Sequence, residues 1–224
     1  MAIILNIETA VEGASICLSH ESQILGSSSN PSKMDSASWL HVAIRDLLNE
    51  KNVQIKDLQA IGISSGPGSY TGLRVGMAAA KGLCYAAGLP LITINTLEIM
   101  ATAAKKSAST LLCPMIDARR MEVFTAVYNQ DLQVVLSPVN MVLTEGSFSD
   151  LLNDQRLTFF GNGSQKFKQL IQSANADFIE VNFSAKDMLG LALQKFNNSD
   201  FADLAYAEPF YGKAFYSPPA KKKL

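Results

Sequence analysis

Leu58-Gln59-Ala60-Ile61-Gly62-Ile63-Ser64 runs through Ser65 into Gly66-Pro67-Gly68-Ser69-Tyr70-Thr71-Gly72, and residues 71–87 beyond it read as a helix. The first stretch is a short buried strand, the second a glycine-rich turn. Gly88 and Pro90 end the helix. Inside it only Arg74 and Lys81 are charged, seven residues apart and so roughly in line along one stripe. Leu73, Met77, Ala80 and Cys84 share one side, while Val75, Ala78, Ala79, Gly82 and Ala86 point towards others. A helix that is apolar nearly all round must be covered nearly all round. Leu91–Ile94 is the next strand, and a helix is predicted from Thr96 to about Lys105.

Upstream, Ala2–Glu8, Ala14–Ser19 and Gln23–Ser28 read as a three-stranded meander, turning at Glu12-Gly13 and His20-Glu21-Ser22. A helix follows, capped by Asp35 or Ser36 and stopped near Asn52. Trp39, Leu40, Ala43, Ile44, Leu47 and Leu48 form its apolar face. Downstream, Leu111–Ile116, Met121–Tyr128, Leu132–Leu136 and Leu157–Phe160 read as strands, with helices near Gln165–Gln172 and Ala185–Lys195. This order predicts an α/β chain with a mixed sheet. The division expected is residues 1–104 and a smaller unit at 105–224, with Ala103–Thr110 as the crossover.

The chain has 224 residues with 19 Lys+Arg against 20 Asp+Glu, 48% hydrophobic and 17% charged. That composition buries a core and excludes disorder. The near-zero charge argues against a broad basic surface for nucleic acid. The one basic run, Lys221-Lys222-Lys223 after Pro218-Pro219, reads as a solvated end. Gly82–Ile92 is the longest apolar run, short of a membrane span and broken by Pro90. Met1–Leu5 has no basic flank, so it reads as a strand and not a signal peptide. Cys17, Cys84 and Cys113 are isolated and apolar in setting, as expected of buried thiols in a reducing cytoplasm.

Chemistry has few candidates. The turn at Gly66, Gly68 and Ser69 either makes a tight strand-to-helix connection or presents amides to a phosphate; it fits neither the P-loop nor the dinucleotide fingerprint. Glu8-Thr9 at the end of the first strand either caps a turn or holds a metal–phosphate group. Asp117, Arg119, Arg120 and Glu122 read as a salt-linked corner. His20 and His41 are too few and too far apart for a zinc site, and neither a Gly-x-Ser-x-Gly nor a His-Glu-x-x-His motif occurs.

Three strings taken together resemble a known family. Ile3-Ile4-Leu5-Asn6-Ile7-Glu8-Thr9 is similar to its opening strand. Gly66-Pro67-Gly68-Ser69-Tyr70-Thr71-Gly72-Leu73-Arg74-Val75-Gly76, with Ala80-Lys81-Gly82-Leu83, matches its glycine loop and helix, and Asp117-Ala118-Arg119-Arg120-Met121-Glu122-Val123-Phe124 matches a third motif. In this order they resemble the TsaB (YeaZ) family of tRNA threonylcarbamoyladenosine biosynthesis proteins. The resemblance implies the actin-like, sugar-kinase/heat-shock ATPase fold with a reduced second subdomain, and a cytoplasmic protein with no membrane contact. It implies pairing with a TsaD-like catalytic subunit and a TsaE-like ATPase, and transfer of threonylcarbamoyl to N6 of adenosine 37 of tRNAs reading codons that begin with A. An old glycoprotease-like label came from the paralogue.

The departures shape the expected role. Where the catalytic paralogue carries a His-x-x-x-His metal motif, this sequence has Thr96 and Met100, which cannot replace two imidazoles. Glu8 and Ala10 stand where the family usually has Asp and often Ser. The resemblance therefore implies a non-catalytic scaffold that meets tRNA only through the complex, with no catalytic or metal residues and no cofactor. The alternative is an ATP-binding phosphotransferase or ATPase of the same fold, with Thr9, Gly66, Gly68 and Ser69 as the nucleotide candidates for ATP or ADP. The expected partner interface combines Trp39, Leu40 and Ile44 of the first helix with Arg74, Val75, Ala78, Ala79, Lys81 and Gly82 of the second. The same surface would serve a homodimer when the chain is alone.

Overall fold

In the computed structural model, residues 2–11, 13–30, 36–108 and 110–212 are described. Strands β1 (Ile3–Glu8), β2 (Ser15–His20) and β3 (Gln23–Ser29) form the predicted antiparallel meander. Helix α1 (Ser36–Glu50) follows, then β4 (Ala60–Ser64), α2 (Tyr70–Ala87), β5 (Leu91–Ile94) and α3 (Thr96–Ala104). β4 lies parallel to β1 and β5 parallel to β4, giving the order β3-β2-β1-β4-β5. Parallel strands joined by helices must be covered on both faces, and every residue of β4 is buried.

The second sheet takes strands β6 (Leu111–Asp117), β7 (Glu122–Tyr128), β8 (Val134–Val142), β9 (Leu157–Phe160) and β10 (Ala176–Phe178), in the order β10-β9-β6-β7-β8. Short helices α4 (Ser149–Asp154) and α5 (Ser164–Lys168) cover one face with an aromatic cluster of Phe148, Phe159 and Phe167 in edge contact. α3 covers the other face through Leu97, Met100, Ala101 and Ala104. Its Ile99 packs instead among residues of the first sheet, so one helix joins both cores.

The first sheet is itself enclosed on two sides. α1 and α2 bury Leu40, Ile44, Leu47, Leu48, Met77 and Ala80 against Leu5, Ile7, Ile61 and Ile63. Residues from late in the chain cover the opposite face: a 3-10 turn at Ala185–Met188 and helix α6 (Leu189–Asn197) pack on Ile4, Cys17, Ala60 and Ile92. Helix ends follow local chemistry. Gly88 closes α2 at φ 65°, and Asn52 adopts φ 53° just past α1.

Several elements differ from the sequence reading. β8 is longer than Leu132–Leu136 and displaced, because an edge strand tolerates Pro138 and exposes alternate positions that break the apolar pattern. α5 stops at Lys168, short of Gln172. α4 and β10 carry no strong periodicity and were not anticipated. The charged corner is wired differently. The ion pair of Asp117 is with Lys166 from α5 at 2.7 Å, while Arg119 reaches it through its backbone N–H at 2.6 Å, and Arg119 and Arg120 sit at φ 67° and 51° in the β6–β7 turn. Asp35, Glu12 and the Pro218–Lys223 tail lie outside the described residues.

Candidate functional site: one face of helix α2

The glycine turn is a packing device. A Cβ at Gly66 would run into the Phe210 carbonyl, one at Gly68 into the Ala10 carbonyl, and one at Gly76 into the Thr9 hydroxyl and the Ile63 side chain at 2.9 Å. Bare glycine lets α2 lie directly against the turn that follows β1. The turn's polar groups serve the same closure. Ser69 N–H donates to the Ala10 carbonyl at 2.6 Å, and the Ser69 hydroxyl caps α2 by accepting from Gly72 N–H at 3.2 Å. The Phe210 and Ala10 carbonyls stand where side chains at positions 66 and 68 would be, so both glycines serve close backbone packing. Of the two sequence readings of this turn, the tight connection is the one the geometry supports.

Thr9, the remaining nucleotide candidate, is buried with its hydroxyl unpartnered among the described residues, against Gly76. Next to it Glu8 is 1% exposed. Its carboxylate accepts from Ala10 N–H at 2.6 Å. Burial pushes the Glu8 carboxyl up from 4.5 to about 7, against the pull of the Ala10 and Val11 amides and the Ser64 hydroxyl. This carboxylate is folded back on its own turn, closed off from any ligand. Thr96 and Met100 are likewise buried, at 0% and 2% exposure. Among the described residues no group of three or more His, Cys, Asp or Glu side chains is placed to hold a metal.

The two sides of α2 have different fates. Arg74 and Lys81, expected at a partner surface, face a strap formed by residues 202–212 of the same chain. Lys81 Nζ donates to the carbonyls of Ala205 and Ala207 at 3.2 and 3.0 Å. Arg74 lies 4.1 Å from the centre of the Tyr70 ring, and its Nε donates to the Tyr211 hydroxyl at 3.1 Å. Farther along, Phe210 N–H donates to the Ser65 carbonyl at 2.7 Å, fastening the strap over the glycine turn. The apolar periodicity of α2 gave no sign of this covering, since residues 202–212 have none of their own.

On the other side a groove of about 390 Å³ runs between α1 and α2, lined by Ala37 and His41 of α1 and by Val75, Ala78, Ala79, Gly82 and Leu83 of α2. Ala78 and Gly82 are exposed, Val75 is half-buried, and Tyr85 stands 84% exposed one turn on. Of the other expected interface residues, Trp39 is half-buried, while Leu40, Ile44 and Ala79 are buried inside the chain. Val75, Ala78 and Gly82 thus line this groove together with the buried Ala79, while Leu40 and Ile44 lie in the core, Trp39 is half-buried, and the exposed Arg74 and half-buried Lys81 bond residues 205–211.

With two mixed sheets, a glycine-packed helix and an open small-residue face in view, comparison with known proteins identifies the class. The family model described as TsaD: tRNA N6-adenosine threonylcarbamoyltransferase matches residues 30–210, and the chain belongs to that family, on its TsaB/YeaZ side. The tRNA threonylcarbamoyladenosine biosynthesis protein TsaB of Escherichia coli (strain K12) is 29% identical over 221 residues, covering 93% of each chain. TsaB of Bacillus subtilis (strain 168) is 29% identical over 206 residues, 91% of this chain and 85% of the relative. The solved YeaZ of Pseudomonas aeruginosa superposes with a TM-score of 0.81 at 26% identity, covering 94% of this chain and all of that one. The two five-stranded mixed sheets with their helices are the α/β architecture shared with that YeaZ structure.

Two predictions test this geometry. Gly76→Ala should destabilise the chain by about 1–3 kcal/mol through overpacking. Gly82→Ala, which meets nothing within 4 Å, should stabilise it by about 0.5–1 kcal/mol through helix propensity; chemical denaturation reads both. The raised Glu8 pKa means the folded state holds a proton that the unfolded chain has already lost between pH 4.5 and about 7. Stability from this group is therefore fully present below pH 4.5 and lost as pH rises through 7. Glu8→Gln should flatten that decline, by up to about 3 kcal/mol between pH 5 and 8 in denaturant titrations of variant and wild type.

Proposed function

We propose that the chain acts in tRNA threonylcarbamoyladenosine synthesis as a non-catalytic scaffold, docking through the α1–α2 groove onto a TsaD-like catalytic subunit. The observation that carries this reading is the groove of small residues between α1 and α2, lined by Val75, Ala78, Ala79 and Gly82. Small residues let a partner helix approach closely, and the exposed Val42 of α1 and Tyr85 of α2 enlarge the apolar patch around them. A two-helix face meeting its counterpart on a related subunit makes a four-helix contact with pseudo-two-fold symmetry, of the 1,200–2,000 Å² order usual for stable pairs. When the partner is absent, a second copy takes the same face.

The catalytic subunit supplies the chemistry: threonylcarbamoyl passes to N6 of adenosine 37 of tRNAs reading codons that begin with A, with a TsaE-like ATPase as the third component. This chain meets tRNA through that assembly, in the cytoplasm. The burial of Thr96 and Met100 supports the non-catalytic part, as does a Glu8 carboxylate consumed by its own turn. Among the described residues no helix is long and apolar enough to cross a membrane. The close packing of the glycine turn against the Ala10 and Phe210 carbonyls favours a structural role for it over the phosphotransferase alternative.

Expressed in a bacterium depleted of its own TsaB, the chain should restore threonylcarbamoyladenosine in total tRNA, read by mass spectrometry of nucleosides. No restoration alongside the matching TsaD would overturn the assignment. Ala78→Glu and Gly82→Glu should each abolish association with the catalytic subunit in calorimetry while leaving Tm near wild type, because the new carboxylate is harmless in water and unpaired in the contact. Ala79 is unsuitable for this test, being buried in the monomer. Wild-type affinity in both variants would move the interface elsewhere.

A further inference from the structure

Two cores meet where the sheets join: one between the first sheet and α6, the other between the second sheet and α3. Among the described residues, Leu132 and Phe183 are the partly buried side chains that pack against both. They stand at opposite ends of the junction. Phe183 lines the inter-sheet cleft, a cavity of about 350 Å³ at the carboxyl ends of β1, β6, β9 and β10, together with Val11, Ile116, Asn162 and Glu180. Leu132 lies in the β7–β8 turn, beside the amino end of β6, where Gln130 Nε2 donates to the Thr110 carbonyl at 2.6 Å.

Leu132 adopts φ 61°. A left-handed backbone crowds the Cβ of any residue but glycine, so turns place Gly, Asn or Asp there. Among the described residues the other large apolar side chain in this conformation is Phe148, which packs within a core of the second sheet alone. Asn129 holds the turn in shape. Leu132 N–H donates to the Asn129 carbonyl at 3.0 Å, and Asn129 N–H to the Gln133 carbonyl at 3.0 Å. The Asn129 Oδ1 accepts from Asp131 N–H and Gln133 N–H, each at 2.9 Å, and its Nδ2 donates to the Gln133 Oε1 at 2.8 Å. A strained residue persists where its surroundings over-determine it. Polar side chains frame this turn, and Leu132, its one apolar residue, is half-buried between the two cores.

A residue needed only to reverse the chain would be Asn or Gly at this place. Leucine adds what those lack, an apolar side chain that reaches the first sheet's core from the second sheet. We infer that Leu132 is a latch between the two sheets: it fixes the angle at which they meet, and through that angle the width of the inter-sheet cleft at the opposite end. The other links do not do this alone. α3 is a single helix, with Ile99 in one core and Leu97 and Met100 in the other. Two sheets that share one helix and an end contact at Phe183 can still swing about them, and a hinge of that kind needs few residues. A second contact at the far end removes the swing. The latch is separate from the α1–α2 groove and does not rest on the scaffold role.

The test uses the full chain carrying nitroxide labels at Ile24→Cys in β3 and Val142→Cys in β8, both exposed and one on each sheet. Cys17, Cys84 and Cys113 are buried and stay unlabelled. Pulsed dipolar spectroscopy should give one narrow distance distribution with Leu132 in place. Leu132→Ala and Leu132→Gly should each widen it about twofold, and Leu132→Met, which keeps an apolar reach, should restore it. The glycine variant should melt above the alanine variant, because glycine is unstrained at φ 61°, and it decides the distance test where the alanine variant does not fold. Leu152→Ala, a cavity in the second sheet's other core, is the control: it should lower Tm and leave the distribution narrow. Wild-type width in Leu132→Gly, or equal widening by Leu152→Ala, would overturn the latch. An alanine variant melting above the glycine variant would remove the strain from which it is argued and overturn it too. The threonylcarbamoyladenosine rescue above is scored independently, so failure here leaves that reading in place.

Discussion

Everything about this fold hangs on how closely α2 can approach the turn after β1. The Thr9 hydroxyl lies against Gly76, the Ala10 carbonyl against Gly68 and the Phe210 carbonyl against Gly66, so backbone meets backbone where side chains normally intervene. Hydrogen bonds from Ser69 N–H to Ala10 and from Thr96 N–H to the Gly66 carbonyl at 2.9 Å then tie β1, α2 and α3 to one short loop. α3 in turn carries Leu97 and Met100 into the second sheet's core. The second half of the molecule is therefore positioned from the same loop. A glycine-rich sequence that looks like a ligand cradle is here a joint between elements.

The joint also explains why α2 has an open face at all. α2 packs its inner side on β4 and bonds residues 205–211 through Arg74 and Lys81, and the groove beside α1 takes a further part of its surface. The residues there are Val75, Ala78 and Gly82, which gain little from burial within a monomer. Glycine at position 82, with nothing near its missing Cβ, is otherwise a net loss in a helix. Its presence makes physical sense if another backbone comes close at that place in an assembly.

Much of this was legible in the sequence, and the failures have causes. The meander, α1, β4, α2 and β5 were read within one to two residues, because apolar spacing, Asn52, Gly88 and Pro90 mark them. The α1–α2 face was legible as an excess of small residues, yet its extent was not. Leu40, Ile44 and Ala79 turn inward, and Arg74 and Lys81 are claimed by residues more than 120 positions away. β8 was read short and β10 escaped, because edge strands need bury only part of one face. The inter-sheet cleft escaped for a stronger reason. Val11, Ile116, Asn162 and Glu180 share no spacing or motif, and only the order β10-β9-β6 brings them to one end.

The position of Glu8 shows how one turn can lose a role that its fold offers. The extra methylene of Glu over Asp gives the side chain the reach to curl back to the Ala10 and Val11 amides, and Ser64 adds a third hydrogen bond. Those bonds lower its pKa, yet burial outweighs them and leaves it near 7, the mark of a carboxyl held for closure. With Glu8 turned inward, Val11 becomes the cleft wall above it. Among the described residues the one charge lining that cleft is Glu180, which follows β10 of the second sheet.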